Sequence, residues 1–188
     1  MSAPHVVLRD VGEADRTRLR EWRNLPDVAR WMYSDHEISP AEHDRWFDAA
    51  LSDPTRRYWV IELDGEPVGL ANLADISREH RRCAWAYYLA SPAVRGKGVG
   101  AFVEYWMIEH VFGMLGLEKL WCEVLIENEA VWKLHESFGF RREALFRRHV
   151  WKGGEPRDVV GLGLLKDDWA KARAASRERL VQKGYALP

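Results

Sequence analysis

Arg95-Gly96-Lys97-Gly98-Val99-Gly100 follows the β-rich stretch Cys83-Ala84-Trp85-Ala86-Tyr87-Tyr88-Leu89-Ala90 and opens a segment that reads as helix to about position 115. A strand stopped by Ser91-Pro92, followed by glycines and then a helix, gathers backbone N–H groups and the positive helix end into one turn. A phosphate can approach such a turn closely because glycine carries no side chain. The turn has neither the Gly-Lys-Ser/Thr ending of a P-loop nor the spacing of a dinucleotide fingerprint, since Gly98-Val99-Gly100 runs on into Ala101-Phe102-Val103. Glycines here also suit a tight turn or close packing, so the loop takes its meaning from its surroundings.

Upstream, residues 5–11 read as a short strand and 12–23 as a helix with acids in its first turn, broken at Asn24-Leu25-Pro26. A short helical piece over 27–32 precedes Ser39-Pro40-Ala41-Glu42, a capping box with proline at the first helical position, which opens a helix to about position 51. Alternation predicts strands over 58–63 and 67–76 joined at Asp64-Gly65, then a polar turn and the strand 83–90. Downstream come a strand over 120–126, a helix over 127–137, a pair of strands from Phe138-Gly139-Phe140 to position 165, and a helix over 166–182. The order is α/β, a meander joined to a β-α-β-α-β half. Arg173, Arg177, Glu178 and Arg179 on the last helix read as a solvated face.

With 188 residues, 47% hydrophobic and 30% charged, the chain suits one globular domain and needs no disulfide or metal to hold a core. A formal net charge of −1 provides no global field for nucleic acid or an anionic membrane. Cys83 and Cys122 lack metal-ligand or redox spacing, so no metal is expected and a reducing cytoplasm is the simplest setting. No leader or membrane span is expected from the apolar runs.

Beyond the loop, Asn128-Glu129-Ala130-Val131-Trp132-Lys133-Leu134-His135-Glu136-Ser137-Phe138-Gly139-Phe140 follows a strand. Together the two stretches resemble the GNAT superfamily of N-acetyltransferases. Its acetyl-CoA signature, Q/R-x-x-G-x-G/A, corresponds to Arg95, Gly98 and Gly100, and its later signature, N-x-x-(A)-x-x-(L)-Y-x-x-x-G-F, to Asn128 through Phe140. The resemblance implies one domain over 1–188, with its core over about 5–165 and a C-terminal helix over 166–182. It also implies a mixed, mostly antiparallel seven-stranded sheet flanked by helices, in which strands 4 and 5 splay into a V that admits acetyl-CoA. A bulge near Tyr88-Leu89 would free an N–H to polarise the thioester carbonyl. Leu89, Ala90, Arg95, Gly96, Lys97, Gly98, Val99, Gly100, Asn128 and Trp132 would hold the cosubstrate.

A narrower resemblance rests on Glu21-Trp22-Arg23-Asn24, Val28-Ala29-Arg30-Trp31-Met32, His36-Glu37-Ile38-Ser39, Glu42-His43 and Ala84-Trp85-Ala86-Tyr87-Tyr88. These are similar to the N-acetyltransferases of pseudaminic acid biosynthesis, which acetylate the 4-amine of a UDP-linked 4-amino-4,6-dideoxy sugar for flagellin glycosylation. The resemblance implies a nucleotide-sugar acceptor held by Arg23, Trp31, Met32, His36, His43, Ser77 and Tyr87, in a cytoplasmic enzyme compatible with a homodimer. Arg16, Arg20 and Arg23 share a helical face that could meet a diphosphate, with Trp31 and Met32 flanking uracil, although a basic helical stripe is more often solvated. His36 and His43 could hydrogen-bond phosphate or hydroxyls.

Amine acetylation needs a neutral nucleophile and a proton for the departing thiolate. Glu123 interrupts the apolar strand Leu120-Trp121-Cys122-Glu123-Val124-Leu125-Ile126 and is the candidate base; structural pairing is the alternative. His135 stands where the resemblance puts a tyrosine acid, and Tyr87, Tyr88 or solvent are alternative proton donors. Two further readings stay open: an acetyltransferase of protein N-termini or polyamines, and an acyl-CoA-binding module without chemistry.

Overall fold

The computed structural model describes residues 4–187. Asp64 and Gly65, both at positive φ (54° and 85°), make the tight turn that folds β2 (Arg57–Leu63) onto β3 (Glu66–Ser77). β1 (Val6–Asp10) and β4 (Arg82–Leu89) extend this antiparallel meander on either side. Gly153 and Gly154, again at positive φ, turn β6 (Arg141–Lys152) into β7 (Glu155–Leu165), and β7 pairs antiparallel with β5 (Lys119–Leu125). The resulting seven-stranded sheet has the order β1-β2-β3-β4-β5-β7-β6 and is parallel only between β4 and β5. This is the α/β order read from the sequence, arranged in the mixed, mostly antiparallel seven-stranded sheet that the resemblance implies.

Helices cover both faces. α1 (Arg16–Asn24), the single turn α2 (Pro26–Ala29) and α3 (Pro40–Ser52) precede the meander. Leu19, Phe47 and Ala50 pack there against Tyr58 and Leu70. α4 (Val99–Glu109), α5 (Glu129–Ser137) and α6 (Lys166–Gln182) close the other face, where Phe102, Tyr105, Ile108, Phe138 and Trp169 bury the apolar side of the sheet. α1 begins later than the sequence predicts. Residues 13–15 form a tighter turn because the buried Asp15 carboxylate accepts from Gly12 N at 3.0 Å and from Arg9 at 2.7 and 2.8 Å. Ser39 caps α3, its hydroxyl accepting from Glu42 N at 3.3 Å.

The bulge expected at Tyr88-Leu89 falls just beyond it: Ala90 N and Ser91 N both donate to Val68 O, at 2.7 and 3.3 Å, so two residues oppose one as the chain leaves β4. Before it β4 stays in register with β3 from Leu89 opposite Gly69 to Ala84 opposite Ala74, and a second irregularity falls between Ala74 and Ser77, where Asp75 adopts φ 50°. Among the described residues no helix is long and apolar enough to cross a membrane, and no cluster of His, Cys, Asp or Glu is arranged to hold a metal.

Candidate active site

β4 and β5 pair only over Arg82–Ala84 and Lys119–Trp121. Beyond those three residues the strands diverge, and a cavity of about 430 Å³ opens between them. Trp85 to Leu89 of β4 and Cys122 to Leu125 of β5 form its sides; Asn128, Val131 and His135 close one end, and Asp27, Val28 and Trp31 to Tyr33 roof the other. Ala90 N donates to Val68 O at 2.7 Å, so the alternation of the strand turns the Leu89 N–H the other way, toward the gap left by β5. An N–H facing the cleft therefore arises where β5 splays away, one residue before the Ala90-Ser91 bulge, while the N–H of Ala90, a residue expected at the cosubstrate, is engaged in the sheet.

The glycine loop contributes no residue to the cavity lining and adjoins it through Tyr87, whose hydroxyl would lie 3.0 Å from a Cβ on Gly100. Gly96 and Gly98 adopt φ 75° and 76°, a conformation that branched residues avoid, and Gly98 is the residue from which α4 starts. The first α4 bond runs from Phe102 N to Gly98 O, so the N–H groups of Val99, Gly100 and Ala101 have no partner within the helix and suit an anion. The C-terminal segment braces the loop: Tyr185 donates its hydroxyl to Lys97 O at 2.8 Å, and Lys183 Cδ lies 3.1 Å from where a Cβ on Gly98 would stand. Neither residue is signalled by the loop motif. Arg95 is exposed and reaches Asp27 at 3.4 Å.

The pleat separates the two tyrosines of β4. Tyr87 stacks on Trp85 at 5.5 Å and points toward α4, where a Cβ on Gly100 would come within 3.0 Å of its hydroxyl. Burial pushes its phenol far above the usual range. Tyr88 points to the opposite face, against Trp22, and its hydroxyl is buried without a hydrogen-bond partner. It is not on the side where His135 lies, which corrects its assignment as a proton donor for the same sulfur. His135 is 3% exposed, packs on Trp85 and Phe140, and donates Nδ1–H to Glu104 Oε1 at 2.9 Å.

Glu123 is half-buried on the acceptor face, and Tyr33 donates its hydroxyl to Glu123 Oε2 at 2.9 Å. Burial and this carboxylate both drive the Tyr33 phenol upward, so it remains a donor. Trp31 and Met32 line the same end of the cavity.

Other expected site residues are engaged elsewhere. Arg16 is held by Glu13, Asp44 and Asp48 over the Phe47 ring. Arg23 is largely buried outside the cavity, donates to Ser34 Oγ at 3.1 Å and leaves Nη1 without a partner; burial lowers its pKa. His43, 2% exposed, packs on Trp46 and Phe47, and desolvation disfavours its charged form. His36 pairs with Glu42 at 2.9 Å on an exposed surface. Ser77 accepts from His80 N at 3.0 Å at the closed end of the β4–β5 pair. Trp132 donates Nε1–H to Ile126 O at 2.9 Å and anchors α5 to β5 under Arg142 instead of facing the cosubstrate loop.

The chain matches the acetyltransferase (GNAT) domain model over residues 5–141. It is similar to the spermidine N(1)-acetyltransferase of Escherichia coli K12, with 26% identity over 181 residues covering 96% of this chain and 97% of that protein. The Vibrio cholerae spermidine N(1)-acetyltransferase is 23% identical over 165 residues, covering 87% and 95%. The crystal structure of the spermidine N-acetyltransferase from Vibrio cholerae in complex with CoA and spermine superposes with a TM-score of 0.81 at 22% identity, over 88% of this chain and 98% of that one. The domain match runs from the first strand past α5, through the glycine loop and both splayed strands, and so the chain belongs to the GNAT acetyltransferase family and is an N-acetyltransferase.

Proposed function

We propose that this enzyme transfers acetyl from acetyl-CoA to a primary amine of a small cationic acceptor of the polyamine class. The charge of the cleft carries the reading. Among the described residues its lining holds no lysine or arginine; its carboxylates are Glu123, bound by Tyr33, and Asp27, which pairs at the rim with Arg95 at 3.4 Å and Arg30 at 3.8 Å. The Glu123 carboxylate beside Tyr33 favours an alkylammonium by charge and disfavours a diphosphate, whereas the Trp31 ring is already covered by Arg30 at 4.9 Å. The nucleotide-sugar acceptor expected from the sequence loses its physical support because Arg16 and Arg23 are engaged away from the cavity. The similarity to spermidine acetyltransferases points the same way.

In this reading the N–H groups of Val99 to Ala101 bind the cosubstrate pyrophosphate, and Lys183 adds a cation beside Gly98. The Leu89 N–H polarises the thioester carbonyl. Glu123, oriented by Tyr33, receives the proton that the ammonium must lose, and His135 faces the sulfur side. Purified enzyme with acetyl-CoA is to be offered spermidine, spermine, a UDP-amino sugar and an N-terminal peptide, with products read by mass spectrometry. Mono-acetylated polyamine as the preferred product supports the proposal; preferential acetylation of the sugar nucleotide or peptide overturns it.

A further inference from the structure

α4 is apolar from Val99 to Ile108 except for Glu104, which is fully buried. A carboxylate so placed is costly unless it is paired or used. Its Oε1 accepts from His135 Nδ1–H at 2.9 Å, and its Oε2 is buried without a partner. With Nδ1 turned to α4, Nε2 is the ring nitrogen on the side of the cavity, which His135 lines together with Cys122. We propose that Glu104 is the positioning residue of a Glu104–His135 dyad, fixing the ring and supplying the counter-charge with which His135 Nε2–H protonates the departing CoA sulfur. The inference rests on the acetyl-transfer reading of the cleft.

The step balances. The amine nitrogen bonds to the acetyl carbon, the carbon–sulfur bond breaks, and sulfur leaves with the electron pair and takes the Nε2 proton. His135 becomes neutral; nitrogen enters the step as the free amine, its ammonium proton having passed by way of Glu123 to solvent, and the second proton it loses on forming the amide is then taken by Glu123. Solvent exchange resets both groups.

Burial, the largest single influence, disfavours a charged imidazole, but the charge of Glu104, its hydrogen bond and the neighbouring Cys122 sulfur together outweigh it, and the His135 pKa rises to about 10. Burial likewise raises the Glu104 carboxyl, opposed by His135 and, more weakly, by Arg179 of α6. From β4, Trp85 and the un-ionised Tyr87 face the ring; Phe140 packs against it from beyond α5. A pair without the carboxylate would leave a desolvated imidazole neutral at physiological pH, unable to protonate a thiolate. In the relatives the sequence resembles, a tyrosine needs no such partner, because a phenol is protonated to about pH 10 unaided.

The test combines titration with turnover. In wild type, the His135 ring, assigned among the seven histidines by its loss in His135→Tyr, is to be followed by ¹⁵N NMR. It should remain imidazolium well above pH 8, and in Glu104→Gln it should titrate at or below about 6.5. Turnover of whichever amine the substrate panel identifies should lose its alkaline limb in Glu104→Gln, by about 100-fold at pH 8.5, and recover toward low pH. Adding His135→Tyr to Glu104→Gln should restore alkaline activity. A wild-type ring that is neutral at pH 7.5 overturns the dyad even if Glu104→Gln fails to fold. So does a Glu104→Gln profile that is lowered uniformly, without displacement. If no amine is acetylated, the acetyl-transfer reading fails, whereas the NMR titration still decides the dyad.

Discussion

The Tyr33 hydroxyl reaches Glu123 Oε2 at 2.9 Å across 90 residues of sequence, tying the segment after α2 to the middle of β5. One carboxylate oxygen is thereby occupied and the group is held at the acceptor end of the cleft. Glu123→Gln keeps this hydrogen bond but removes basicity, so kcat should fall about 100-fold near neutral pH. The loss should shrink toward pH 10, where a growing share of an alkylamine is neutral without a base. A constant wild-type-to-variant ratio across that range excludes Glu123 as the base. Tyr33→Phe should have a milder effect on kcat, because the carboxylate survives while its orientation loosens.

The glycine loop gives a second expectation. Gly98→Val places a branched side chain at φ 76°, against Lys183 and over the free N–H groups of α4. Acetyl-CoA affinity should fall at least about 10-fold, with acceptor KM little changed. Lys183→Ala removes only the cation, and its effect should fade as salt rises. Calorimetric titration of acetyl-CoA at two ionic strengths checks both; an unchanged Kd for Gly98→Val removes the loop from the donor site.

Asp27 lines the cavity and pairs loosely with Arg95 at 3.4 Å and with Arg30 at 3.8 Å. If the acceptor is a polycation, Asp27→Asn should raise its KM several-fold and leave kcat nearly intact, because the charge attracts the substrate without entering the chemistry. The increase should be larger for spermine than for a monoamine of similar length. Equal effects on both would mean that Asp27 serves only Arg95 and Arg30.

Much of this was legible from local patterns. Alternation and turn residues revealed the meander, and the glycines marked the loop, because these signals depend on residues only a few positions apart. The functional division between Tyr87 and Tyr88 was not legible: adjacent side chains on a strand face opposite sides, and which side is buried under α4 depends on pairing with β3. The arginine stripe of α1 misled because its carboxylate partners, Asp44 and Asp48, come from α3. Glu104 carries the same mark that singled out Glu123, a charge in an apolar run. Lys183 and Tyr185 had no local mark, since only folding of the C-terminal segment brings them to the loop.

Arg23 provides the sharpest contrast between the sugar-nucleotide expectation and the structure. Its guanidinium lies outside the cavity lining, its one side-chain hydrogen bond goes to Ser34 at 3.1 Å, and its Nη1 is buried with no partner. A buried cation with incomplete pairing costs desolvation energy that an apolar side chain of similar length avoids. Arg23→Met should therefore leave thermal stability unchanged or raise it by about 1 kcal/mol. Acetyl-CoA affinity and acceptor KM should stay at wild-type values, because neither ligand touches this group. Thermal unfolding with steady-state kinetics on the same preparation tests both parts. If instead acceptor KM rises 10-fold or so while acetyl-CoA still binds, the guanidinium reaches the acceptor, and a phosphate-bearing substrate regains its physical basis.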